Sequence, residues 1–126
     1  MILRRFFIAS TALLFLMPAT AAHAEEVALT AAEIQDLLTG NTVSGTWNGT
    51  PYKSFYGADG VIIYAPRGGA KARGKWRVDN QKNVLESWWQ HTGWTAYPVV
   101  RTDTGYAWIF ASAKHGFQVE NGQQIN

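Results

Sequence analysis

The chain has no cysteine, and that absence removes a disulfide framework, a thiol nucleophile, a cysteine-ligated zinc, c-type haem attachment and a lipid anchor on cysteine. Methionine is nearly missing too, because Met1 and Met17 are the only two. Charged residues make up only 16% of positions, too few for a solvated, self-repelling tail. The four Pro and twelve Gly follow no period, which excludes collagen-like and repeat architectures. What the chain has in abundance is aromatic side chains: six Trp, five Tyr and six Phe among 126 residues, a supply that argues for a packed core. The length suits one domain rather than two.

Residues 1–24 read as a secretory leader. Arg4 and Arg5 form a basic start, an apolar run covers Phe6 to Met17, Pro18 closes it, and small residues end at Ala22-His23-Ala24. The run is far shorter than the roughly 20 residues a membrane-spanning helix needs. The expected product is a single domain over residues 25–126, periplasmic or secreted, with no membrane span. Arg4 and Arg5 account for the whole formal charge of +2, so residues 25–126 balance nine Lys/Arg against nine Asp/Glu. Without a net field, nucleic acid is not an expected partner.

The first element of that domain is a helix over residues 31–39. Thr30-Ala31-Ala32-Glu33 has the form of a capping box, Leu29 and Ile34 occupy hydrophobic-staple positions, and Gly40 sits where a left-handed cap belongs. Ile34, Leu37 and Leu38 form one apolar stripe that must dock on another element. Beyond Gly40 the pattern becomes β-type. Strands are expected at 42–47, 52–56, 61–64, 74–78, 84–89, 94–100, 106–111 and 117–120, with turns between them that include Asn48-Gly49, Asp59-Gly60 and Lys114-His115-Gly116. The fold class is therefore mainly β: an N-terminal helix, then a seven- or eight-stranded antiparallel meander curled into a small barrel or strongly bent sheet.

One hairpin carries its own register. With the turn in Gln90 to Gly93, antiparallel pairing sets Trp88 opposite Trp94, Ser87 opposite Thr95 and Glu86 opposite Ala96. The two indoles are expected to face each other, and Trp89 points to the other face of the sheet with Leu85 and Tyr97 nearby.

The candidate ligand-binding residues come from this hairpin and the strand before it. Most of the six tryptophans are needed for core packing, but Trp89 and Trp94 flank a hairpin tip, and with Trp76 and Trp88 they could form an aromatic platform. Arg73, Lys75 and Arg77 alternate on one strand face, so they could meet an anionic ligand or an acidic envelope partner, or simply protect a solvated edge. No cofactor is expected, because Gly68-Gly69 lacks the helix and the Gly-Lys-Ser/Thr of a phosphate loop. No metal site is expected either, since His91 and His115 lie in separate predicted turns. No residues are assigned a catalytic role; an enzyme would have to work through Glu86 with Asp59 or His91 brought close by the fold.

Leu38-Thr39-Gly40-Asn41-Thr42-Val43-Ser44-Gly45, Asp59-Gly60, Gly74-Lys75-Trp76-Arg77-Val78, Ser87-Trp88-Trp89 and Gly93-Trp94-Thr95-Ala96-Tyr97 occur in an order that resembles a family of small, uncharacterised exported proteins of alphaproteobacteria. The resemblance spans most of residues 30–100 and implies export and fold, since the family has no established activity. It further implies a cross-strand disulfide in relatives at the positions of Glu86 and Ala96, which this chain does without. Such a bridge would be worth roughly 3 kcal/mol. The expected function is a non-enzymatic, exported domain that binds a small ligand or an envelope protein. The alternatives are an inhibitor of a cell-wall lytic enzyme and a hydrolase using Glu86.

Overall fold

A computed structural model describes residues 26–126; the expected leader at 1–24 lies outside the described residues. The described residues fold into one helix and ten antiparallel strands that make a single curled, half-barrel sheet. Strand β1 (Val27–Ala28) precedes helix α1 (Ala31–Leu38). Six strands then run up and down in order: β2 (Thr42–Trp47), β3 (Thr50–Tyr56), β4 (Val61–Pro66), β5 (Ala72–Asp79), β6 (Val84–Trp89) and β7 (Gly93–Tyr97). The last three are β8 (Val99–Thr102), β9 (Gly105–Phe110) and β10 (Ala113–Glu120). Strand β10 returns to pair with β2, giving the order β1-β8-β9-β10-β2-β3-β4-β5-β6-β7. Among the described residues no helix is long and apolar enough to cross a membrane.

The count of ten exceeds the seven or eight expected from the sequence for two physical reasons. The predicted strand 94–100 is cut by Pro98, which has no N–H for a ladder, into β7 paired with β6 and β8 paired with β9. Two residues before the helix add β1, which pairs with β8. One turn also moves. The predicted break at Lys114-His115-Gly116 lies inside β10, and the chain reverses instead at Ala111-Ser112, with φ of 50° and 62°. Two consecutive residues with positive φ form the tight turn that matches strand twist, normally the work of Asn and Gly, as at Asn48-Gly49 (φ 49° and 81°). Nothing in Ala-Ser advertises that conformation.

Helix α1 closes one end of the curled sheet. Its capping box is complete: Glu33 N–H donates to Thr30 Oγ1 at 3.2 Å, and Thr30 N–H donates to Glu33 Oε1 at 3.1 Å. Those Thr30 bonds, backbone first, hold the Glu33 carboxyl below its ordinary value. The helix ends at Leu38, one residue earlier than expected, because Thr39 has left helical geometry at φ −58°, ψ 117°. Both ends are tied to the sheet. Ala31 N–H donates to Asn83 Oδ1 in the β5–β6 turn at 2.8 Å, and Gly40 N–H donates to the Tyr56 carbonyl at the end of β3 at 2.7 Å. Between these ties Ile34 and Leu38 are wholly buried against inward residues of the sheet such as Val43 and Leu85.

Candidate ligand cavity

Because side chains alternate along a strand, each strand sends every second residue into the curl of the sheet. Near the helix these inward residues fill the space. Farther up, large rings on facing strands leave a cavity of about 290 Å³. Tyr52 and Ser54 enter it from β3, Tyr64 from β4, Ser87 and Trp89 from β6. Trp47, Tyr97 and Trp108 come from β2, β7 and β9, and Tyr56, Ile62 and Leu85 also border it. Seven of the eleven lining residues are aromatic, and none is Asp, Glu, Lys, Arg or His.

Two glycines make room for two of these rings. A Cβ on Gly74 would lie 2.8 Å from Cε3 of Trp89 and would also meet the Trp88 carbonyl, so the bare backbone of β5 is what the Trp89 ring rests on. A Cβ on Gly45 would lie 3.2 Å from the Tyr52 hydroxyl and 2.9 Å from the Gly116 carbonyl. Gly74→Ala is therefore expected to destabilise the fold by about 1–3 kcal/mol and to move the Trp89 ring. Urea denaturation together with indole fluorescence checks both effects, and an unchanged midpoint would show that β5 has slack at this position.

The rings are inclined to one another, least where Tyr52 meets Tyr64 (5.5 Å, 39°) and Tyr56 meets Trp108 (6.4 Å, 35°). Trp47 and Tyr97 are 6.1 Å apart at 85°, Tyr64 and Trp89 are 6.0 Å apart at 70°, and Tyr97 and Trp108 are 6.1 Å apart at 60°. Trp108 Nε1 donates to the Tyr52 hydroxyl at 3.1 Å. Burial raises the Tyr52 phenol above its ordinary value, although the Trp108 bond works against it, and burial raises Tyr56 much further. Both phenols stay protonated at neutral pH, so they add no charge. No side-chain nitrogen or oxygen among the described residues is buried without a partner. Where Ser54 and Ser87 oxygens have no bond within the protein, they open onto the cavity.

The sequence-derived candidates divide between the two faces of the sheet. Of the seven, only Trp89 lines the cavity. Trp76 is in the core beside it, 5% exposed, with Nε1 donating to the Gly57 carbonyl at 2.8 Å. The pairing predicted for the hairpin is present: Trp88 opposite Trp94, Ser87 opposite Thr95, Glu86 opposite Ala96. The expected contact between the two indoles gives way, among the described residues, to two cation contacts on the outer face. Lys75 Nζ lies 4.9 Å from the Trp88 ring centre, and the Arg77 guanidinium carbon lies 3.7 Å from that of Trp94. Arg73 is exposed on the same strand as these two cations. The four tryptophans thus do not share one platform: Trp76 and Trp89 are on the inner side, Trp88 and Trp94 on the outer face with the cations.

The carboxylate and histidines do not converge. Glu86 accepts from Arg77 Nε at 3.1 Å on the outer face. Asp59 Oδ1 accepts from the Val61 N–H at the helix-covered end of the sheet, and His91 is exposed in the β6–β7 turn at the other end. His115 packs against Trp47, with ring centres 4.4 Å apart and tilted by 38°.

Most of the cavity wall escaped the sequence reading. Tyr52, Ser54 and Tyr64 follow strand alternation and could have been placed by extending the parity of β3 and β4, as could Trp47 through the β2–β3 hairpin, whereas Trp108 reaches the site only through the pairing of β10 with β2 and β9. Comparisons with protein-family models, curated proteins and solved structures find no match for the chain.

Proposed function

We propose that this chain is an exported, non-catalytic domain that holds a small molecule in the cavity of its curled sheet. The observation that carries the reading is the wall itself, seven aromatic residues and two serines with no Asp, Glu, Lys, Arg or His among them. Such pockets, mostly apolar with a few convergent polar groups, are typical of small-ligand sites. The dispersal of Glu86, Asp59 and His91 favours binding over hydrolysis. Export rests on the pattern of residues 1–24 and on the resemblance to small exported proteins.

Thermal unfolding followed by indole emission tests the proposal against a panel of sugars, uncharged aromatic rings, quaternary ammonium ions and short fatty acids. A ligand at 100 times its dissociation constant stabilises the folded state by about 2.7 kcal/mol. For a domain of this size the midpoint then rises by about 10 °C or more. A panel in which no compound moves either the midpoint or the emission overturns the reading.

A further inference from the structure

We propose that the group seated in the cavity is a methylated ammonium, a trimethylammonium head carried on a short polar stem. The inference rests on the cavity reading above and deepens it. Three observations point to this chemistry. The first is shape. A flat ring is best held between parallel walls, but no two neighbouring rings of this wall are parallel: three pairs stand at 85°, 70° and 60°, and Tyr52 with Tyr64 and Tyr56 with Trp108 at 39° and 35°. The near-parallel pair Trp108 and Phe117, 4.0 Å apart at 19°, is already filled by its own partner. Walls inclined to one another by 35° to 85° enclose a rounded volume, and a tetrahedral head fits it better than a plane.

The second observation is charge. An anionic head would find no Lys, Arg or His on the wall to replace its lost water. A weakly hydrated cation meets the negative faces of the rings instead, which is how aromatic cages hold quaternary ammonium groups. The third is the outer face of the same sheet. There the two outward indoles, Trp88 and Trp94, each hold a cation of the protein's own, Lys75 and Arg77. The inward indoles lining the cavity share it with no cationic residue, so the same attraction is left for a ligand. Ser54 and Ser87 supply hydroxyls for the polar stem.

The test compares choline with its neutral isostere, in which a tert-butyl group replaces trimethylammonium, by calorimetric titration of the purified protein. Choline is expected to bind about 2 to 30 times more tightly than the isostere. Trp89→Leu, which keeps an apolar side chain but removes the ring, is expected to weaken choline more than the isostere, and Trp94→Leu on the outer face is expected to leave both unchanged. Equal or tighter binding of the isostere overturns the ammonium proposal and leaves the cavity reading standing. So does binding of only a neutral ring or sugar from the panel. Loss of choline binding in Trp94→Leu but not in Trp89→Leu moves the site to the outer face and overturns both. If Trp89→Leu fails to fold, the choline-to-isostere ratio in the unaltered protein decides alone.

Discussion

Replacing Trp76 with alanine is expected to lower the free energy of unfolding by about 3–5 kcal/mol. The indole is 5% exposed and packs edge-on against Tyr56, with ring centres 5.3 Å apart at 85°. Truncation removes that packing and leaves a void in a wall that hydrogen bonds on both sides hold in place. It also removes the shorter of the two bonds the Gly57 carbonyl accepts, leaving that oxygen the Gly60 N–H at 3.1 Å, a loss of about 0.5–1.5 kcal/mol. Trp76→Phe is the milder step, because it keeps one six-membered ring in the site and loses the N–H with the five-membered part of the indole; about 1–3 kcal/mol is expected for it. A domain has only about 5–15 kcal/mol to lose, so the alanine variant is expected to be partly unfolded at 37 °C. Urea denaturation of the three proteins measures both steps. A loss under about 1 kcal/mol for alanine would place Trp76 outside the core.

Ile34→Ala is expected to cost about 2–5 kcal/mol for a different reason. Ile34 is the wholly buried centre of a two-turn helix that would not persist alone. The cost of such a deletion depends on how far the surroundings collapse into the space. Here the helix is held at one end by Asn83 and at the other by the Tyr56 carbonyl, so it cannot settle inward. The upper half of the range is therefore expected, with Ile34→Val, one methyl smaller, losing about 0.5–1.5 kcal/mol. An alanine variant as stable as the parent in urea would mean that the helix does not plug the sheet.

The helix was legible because its signals are local: Thr30, Glu33, Leu29 and Ile34 lie within six residues and need no tertiary partner to be recognised. The β6–β7 register was legible for a similar reason, since a short turn leaves few ways to pair the strands it joins. The Ala111-Ser112 turn was not, because neither residue prefers positive φ and only the pairing of β9 with β10 imposes it. Pro98 was visible but its effect was not, because a proline can sit at a strand edge or divide a strand, and the choice depends on which neighbours come alongside. The site suffered most. Strand alternation already placed Trp76 opposite Arg73, Lys75 and Arg77, and Trp89 opposite Trp88, yet grouping residues by nearness in the chain put both faces into one platform. Tyr64 of β4 meets Trp89 across Gly74 of β5, and Trp108 of β9 comes to the same cavity only after the sheet has curled.

Trp88 and Trp89, joined by one peptide bond, look into different worlds. The first lies under a lysine ammonium on the outside, and the second borders the cavity. The intrinsic emission of the protein is consequently a sum of two populations that a dissolved iodide quencher reaches unequally, with Trp94 the most open of the outer set. A molecule taken up inside alters the protected component and leaves the quenchable one as it was, so every optical titration of this chain carries its own internal reference.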